Sequence, residues 1–184
     1  GTAAAGGGLA IGLQMPFAAS AAEAKAAAGT EVNAWVVVQP NNTCVIRIAR
    51  SEMGQGTETG LAQLVAEELE CGWKNIKTEF ITPGQNLARK RVWGEMGTGG
   101  SRGIRESHDY VRRGGAVART MLIQAAADKW GVDASTLTAE NGVVTSGNGK
   151  SATYGELAGA AASIPVPKEV KLKDPSEFRL VGKA

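Results

Sequence analysis

Two stretches of this chain carry residue types that can hold an anion. Ser51-Glu52-Met53-Gly54-Gln55-Gly56-Thr57 and Gly97-Thr98-Gly99-Gly100-Ser101-Arg102-Gly103 are glycine-rich loops, and each opens straight into a helical pattern, over residues 58–71 and 105–130. Glycine accepts positive φ and leaves its amide uncovered. Successive N–H groups in such a turn can therefore face one concave point. The helix that follows adds free donors and the positive end of its dipole. Arg102 adds a forked cation to the second loop, and Gln55, with glycine on both sides, presents an amide that donates and accepts at once. Two such nests in one domain point to a ligand with more than one anionic group. Either loop taken alone reads first as a tight connection, and only then as a ligand site.

Two nucleotide-binding patterns come near these loops. Gly54-Gln55-Gly56-Thr57-Glu58-Thr59-Gly60 reads GxGxxxG, one residue longer than the dinucleotide fingerprint, with Glu79 about 20 residues on, where a ribose partner belongs. Arg47 and Arg50 in the preceding strand speak against it, because a central parallel strand is apolar on both faces. Gly147-Asn148-Gly149-Lys150-Ser151 resembles the end of a P-loop. The first glycine of that motif would fall on Val144, and the run lies between two strand-like stretches, so a hairpin turn fits better.

Composition narrows the classes. The 20 Lys and Arg against 18 Asp and Glu leave a net charge of +2, too balanced for a nucleic-acid-binding face. Hydrophobic residues at 43% support a folded core, but aromatics at 5% and 25 glycines make it an aliphatic, small-residue core. Two cysteines, Cys44 and Cys71, cannot build a disulfide framework, a four-Cys zinc site or an iron–sulfur site. The single His108 rules out a two-His metal site made from this chain alone, and it reads as a solvated or interface residue. The four Trp are spread out and read as packing, with Trp93 near the second loop open to either role.

The elements that must position the loops are legible by pattern. Val32 to Val38 and Thr43 to Arg50 form a hairpin about Gln39-Pro40-Asn41-Asn42. Leu61, Leu64, Val65 and Leu69 make one helical stripe, with Glu67, Glu68 and Glu70 off it and Gly72 as a stop. Ile76 to Ile81 alternates as a strand, and Gln85 to Gly103 reads as a polar, basic loop region. In the long helix 105–130, Tyr110, Val117, Met121, Leu122 and Ala125 repeat at helical spacing, and Gly114-Gly115 marks a weak point or a close contact. Leu137 to Thr145 is a strand broken at Asn141-Gly142, and Tyr154 to Ser163 is a short helix. The first 28 residues hold 12 Ala and 5 Gly around the apolar run Gly6 to Phe17, shorter than a membrane helix needs. That run reads as the core of an export signal without its basic start, or as an Ala-rich helix.

The chain resembles the large, molybdenum-cofactor-binding subunit of the xanthine dehydrogenase and aldehyde oxidase family, most nearly its exported isoquinoline 1-oxidoreductase beta-subunit type. The residues that carry this are Ser51 to Gly56 with Val65-Ala66-Glu67-Glu68-Leu69, and Thr98-Gly99-Gly100-Ser101-Arg102. Asn141 to Val144, Tyr154 to Ala158 and Asp174 to Lys183 add support by their order and spacing. The resemblance implies that both loops cradle a molybdopterin, in bacteria often the cytosine dinucleotide. It makes Met53, Gly54, Gln55, Gly56, Gly99, Gly100, Ser101, Arg102 and Gly103 the cofactor-binding residues, with Gln55 near the metal end. Arg102 and Gly103 depart from the Ala and Ser common in the family. The implied reaction is hydroxylation of an aldehyde or N-heterocycle with water-derived oxygen.

The family's catalytic Glu lies in a Gly-x-Gly-Glu segment that does not follow Gly103 here, and Gly155-Glu156 reads as a helix cap. No catalytic residue or metal ligand is therefore assigned, and the chain is expected to be the first part of the subunit, inactive alone. Its expected partners are the remainder of the large subunit and a small two-cluster iron–sulfur subunit, in the periplasm and in association with a membrane. The expected fold is α+β, a mostly antiparallel sheet covered by helices 58–71 and 105–130. Residues 1–29 are expected to be a leader, 30–164 the binding domain and 165–184 a linker. The competing readings are a non-catalytic scaffolding domain and a nicotinamide-dinucleotide binder using Glu79.

Overall fold

The computed structural model describes residues 29–183. The expected leader, residues 1–29, lies outside them except for Gly29. Strands β1 (Thr30–Glu31), β2 (Val36–Val38) and β3 (Cys44–Ile48) pair antiparallel in that order, and β4 (Ile76–Phe80) joins the far side of β3 in parallel. Asn42 at φ 68 closes the turn between β2 and β3, donating its amide to Gln39 at 2.9 Å. In β3 the side chains of Cys44, Ile46 and Ile48 are buried while Val45 and Arg47 alternate outward. A parallel neighbour requires a crossover, and helix α1 (Thr57–Leu69) supplies it.

A second sheet is an antiparallel meander of β5 (Leu137–Glu140), β6 (Val143–Ser146) and β7 (Ser151–Thr153). Asn141 and Gly142, at φ 51 and 77, form its first turn, and Gly149 at φ 85 lies in its second. The P-loop-like run is thus a hairpin turn. Every strand pair except β3–β4 is antiparallel, so the expected pattern holds with one exception, divided between two sheets. That exception places the GxGxxxG run in a βαβ unit, but β4 is an edge strand of a mixed sheet. Glu79 stands opposite Arg47 in register, its carboxylate 3.6 Å from the guanidinium, as a cross-strand ion-pair partner.

Helix α1 packs against the longest helix, which follows two short ones. Helix α2 (Pro83–Ala88) interrupts the expected polar loop, capped by Thr82 and Gln85. Helix α3 (Arg102–Arg105) then leads to α4 (His108–Trp130). The helices α1 and α4 meet backbone to side at Gly115, where a Cβ would stand 2.4 Å from the carbonyl oxygen of Val65. Gly114 likewise seats Trp35, whose ring carbons lie within 2.8 Å of the position a Cβ would take, and its carbonyl accepts from Asn33 at 2.8 Å. The Gly-Gly pair is a close contact. Helix α5 (Tyr154–Ala161) is opened by a reciprocal cap in which the amide and hydroxyl of Thr153 donate to Glu156 at 2.7 and 2.9 Å. That is the cap expected of Glu156.

The C-terminal segment corrects the sequence reading. Residues 173–181, expected to belong to an extended linker, fold back onto α1. The cause is Glu67 and Glu68, expected on the polar face yet only 2% and 0% exposed. Glu68 accepts two bonds from Arg112 of α4, at 2.9 and 2.6 Å, and the amide of Lys173 at 3.2 Å. Glu67 accepts the amides of Arg179, Leu180 and Val181 at 2.7–3.1 Å and the Lys173 ammonium at 3.1 Å. Gly72 is also not the helix stop: Glu70, at φ 57, takes the left-handed position that ends α1.

Two outcomes follow from this packing. Gly115→Ala forces the helices apart and is expected to destabilise the protein by about 1–3 kcal/mol, read as a lower denaturation midpoint. Burial pushes the Glu67 carboxyl up, but the three amides and Lys173 outweigh it and hold it below the usual range. Its stabilisation is therefore complete above about pH 4.3, the unfolded value, and is lost as pH falls through the depressed folded value. Protection factors of the Arg179, Leu180 and Val181 amides, taken relative to intrinsic exchange at each pH, should fall over that acid window, and should not in Glu67→Gln.

Candidate functional site

The two glycine loops are fastened to each other where β3 gives way to α1. Gly103 lies so close to the start of α1 that a Cβ would stand 2.8 Å from both the Thr57 and Thr98 hydroxyl oxygens. One turn further, a Cβ at Gly60 would meet the Ile104 side chain at 2.8 Å. The Gln55 side chain bridges the seam: its Nε2 donates to the Ser51 carbonyl at 2.8 Å and the Thr57 hydroxyl at 3.0 Å, and lies 3.5 Å from the Thr98 hydroxyl.

Behind the seam sits Arg50, 3% exposed. Its Nε donates to the Ser107 hydroxyl at 2.9 Å, one terminal nitrogen donates to the Gly97 carbonyl, and the other lies 3.8 Å from Glu106. One buried guanidinium thus ties the end of the β3 strand segment to the second loop and to the entry of α4. Its position just before the first loop was the available signal, but the sequence reading used Arg50 only as an argument about strand polarity.

The loops wall a cleft of about 440 Å³. Of the expected residues, Met53, Gln55, Gly99, Gly100, Ser101 and Gly103 line it, joined by Thr57, Thr98 and Ile104. Gly54, Gly56 and Arg102 are not on its wall. In the second loop Gly100 and Ser101 are both left-handed, at φ 68 and 57, which curls the backbone around the cleft. No heavy atom lies within 4 Å of the place a Cβ would take at Gly99 or Gly100, so a ligand can approach that backbone closely. Arg102 folds back and donates through Nε to the Gly99 carbonyl at 2.9 Å, while Arg105 reaches the Gly100 carbonyl at 3.4 Å. These cations brace the loop from outside.

The first loop differs from expectation. Its amides do not stand bare: the Glu52 carboxylate accepts from Gly54 at 2.6 Å, Gly56 at 3.1 Å and Glu58 at 2.9 Å. The amide donors of Glu58, Gly56 and Gly54 hold that carboxyl below the usual range, outweighing its slight desolvation. The Gln55 amide is also partly spent, its oxygen accepting from Met53 N at 2.6 Å. The reading of two equivalent open nests therefore becomes one open loop beside one filled by its own acid. A glutamate two residues before a glycine turn can fold back onto its amides, and Glu52 stands at that spacing from Gly54.

Other singled-out residues lie elsewhere. Trp93 is 2% exposed, donates to the Ala34 carbonyl at 2.8 Å and lies under Arg89, so it packs and does not face the cleft. His108 is half-exposed, 3.1 Å from Asp109.

A βα turn and a later glycine loop thus wall one cleft. Residues 2–181 match the family model described as the molybdopterin cofactor-binding domain, and the chain belongs to that family of molybdenum hydroxylase domains. It is 36% identical over 143 residues to the isoquinoline 1-oxidoreductase subunit beta of Brevundimonas diminuta, covering 77% of this chain and 18% of that one. It is 30% identical over 159 residues to a membrane-bound aldehyde dehydrogenase (pyrroloquinoline-quinone) of Gluconacetobacter polyoxogenes, covering 84% and 20%. Among solved structures it is similar to reconstituted CO dehydrogenase from Oligotropha carboxidovorans, with 25% identity, 74% of this chain and 17% of that chain covered, and a TM-score of 0.49. The chain spans about a fifth of the length of these two curated relatives.

The self-filled loop makes a pH-dependent prediction. A carboxyl depressed by amide donors gives an interaction that is complete above about pH 4.3 and is lost as pH falls through its lowered value. Protection of the Gly54, Gly56 and Glu58 amides from hydrogen exchange should hold at neutral pH and fade in acid. In Glu52→Ala it should be absent at every pH, with little change in global stability because the site is at the surface.

Proposed function

We propose that this chain forms one wall of the cofactor site of a molybdenum hydroxylase and holds a molybdopterin cytosine dinucleotide between the Gln55 loop and the Gly99–Gly103 loop. The observation that carries the reading is the shared cleft: segments 43 residues apart meet through Gln55 and Thr98. The residues fit such a guest. Gly99 and Gly100 leave their backbone open to phosphate oxygens, and the Ser101 hydroxyl lies on the same wall. Gln55 offers its amide from the opposite side, steadied by Thr57. Gly54 and Gly56 set the turn that carries Gln55. Arg102 fixes the second loop's shape and adds positive charge nearby.

When bound, the cofactor supplies the redox chemistry that hydroxylates an aldehyde or N-heterocycle carbon with water-derived oxygen. The chain's own residues supply position: they hold the anionic groups, orient the guest through Gln55 and keep the loops from parting. No general base is assigned to this chain, since Glu156 is engaged in capping α5. Turnover then requires the remainder of the large subunit. Electron removal requires a small two-cluster iron–sulfur subunit, for which two cysteines here are too few. The small share of each relative that the chain covers, and the word subunit in one relative's name, support this. The leader-like composition of residues 1–28 and the membrane-bound relative support a periplasmic, membrane-associated place.

The carboxylate filling the first loop favours a second reading, a scaffolding domain that binds nothing there. Molybdenum content of the intact assembly separates the two. Gly100→Asp adds a negative charge where phosphate would lie, while Gly100→Ala brings comparable backbone strain without charge. Cofactor retention should fall roughly tenfold or more in Gly100→Asp relative to Gly100→Ala, the worth of one charge-assisted contact. It should fall in Gln55→Ala as well. Equal, undiminished molybdenum in all three variants would leave the scaffold reading standing.

A further inference from the structure

The cysteine pair takes no part in the cleft, yet it brackets the unit that builds one side of it. Cys44 opens β3, and Cys71 follows the end of α1, 27 residues later. Their sulfurs lie 3.0 Å apart, two free thiols in hydrogen-bond contact and facing each other across the turn of the chain. Both residues are buried, at 0% and 2% exposure. Among the described residues, no group of three or more His, Cys, Asp or Glu is placed to hold a metal, so this pair has no further ligands beside it. Directly alongside, the Tyr154 hydroxyl donates to the Leu69 carbonyl at 2.6 Å, fixing the end of α1 from which Cys71 projects.

We propose that Cys44 and Cys71 are a disulfide site, closed by exchange with a disulfide donor such as oxidised glutathione or an oxidised dithiol protein. One cysteine thiolate attacks the donor's S–S bond, giving a mixed disulfide and one donor thiol. The second cysteine thiolate displaces the other donor sulfur and forms the Cys44–Cys71 bond. Two protein thiols are oxidised, the donor's one disulfide is reduced to two thiols, and the two protons pass to them.

Timing follows from burial. Hydrogen bonding to Cys71 and desolvation push the Cys44 thiol far up, so the thiolate that exchange requires does not form in the finished core. The bond closes while β3 and α1 are coming together and is then sealed in. The closed ring spans the whole Gln55 loop and all of α1. It ties the two ends of the segment that presents Gln55 and restricts the unfolded chain.

The test uses the full-length protein carrying this chain, folded either with oxidised and reduced glutathione or with excess dithiothreitol. Each sample is alkylated in denaturant and digested without reduction. The glutathione sample should yield a Cys44 peptide joined to a Cys71 peptide, about 2 Da lighter than the two free thiol peptides together. Neither cysteine should take up label in that sample. Its thermal midpoint should drop when reductant is present during unfolding, and that of Cys44→Ala/Cys71→Ala should not respond. Full labelling of both cysteines after folding with glutathione would overturn the proposal, as would an equal response to reductant in both proteins. Should the double variant fail to fold, the peptide map of the wild-type protein decides alone.

Discussion

Two carboxylates lie in the interior of this protein, side by side on one helix. An ionised acid withdrawn from water is costly unless donors replace the solvent. Glu68 finds its donors in Arg112 of α4 and in the Lys173 amide, and Glu67 finds them in three consecutive amides near the chain's C-terminal end. Helix α1 is thereby held on two sides at once, by α4 and by the returning segment. Everything that α1 carries at its other end inherits that placement, including the Gln55 loop. The last described residues are therefore part of the domain's framework and not a tether beyond it.

Much of the fold was legible because it obeys simple periods. The β2–β3 hairpin, the strand 76–80, the meander about Asn141-Gly142 and both main helices follow from alternation, helical stripes and turn residues. The parallel pairing of β4 was not legible, because an alternating strand has no sign of its partner's direction. Glu67 and Glu68 were misread for a related reason: local pattern assigns charge to water, and only the distant residues 173–181 reveal that water is absent there. Helix α2 was legible in principle. Thr82, Pro83 and Gln85 spell a helix start with proline in the first turn, while the basic residues that follow have no helical stripe to mark its length.

The site divides in the same way. The glycines of the second loop were readable as a curled backbone, and Gly100 is left-handed as such a loop needs. That Ser101 shares this conformation, and that Arg102 turns to its own loop's carbonyl, depends on the fastening to α1 through Gly103 and Thr57. Arg50 is the clearest omission. A buried guanidinium must satisfy several donors, and here it does so by reaching two segments that lie far from it in sequence.

The Glu52 side chain gives the first loop a resident counter-ion. The turn is therefore braced by contacts within its own seven residues. An arriving polyanion meets at those amides a competitor present at very high effective concentration. On the proposed reading, a phosphate would gain little there, and the second loop and Gln55 would carry the recognition. The acid thus gives those three amides a partner from within the chain itself.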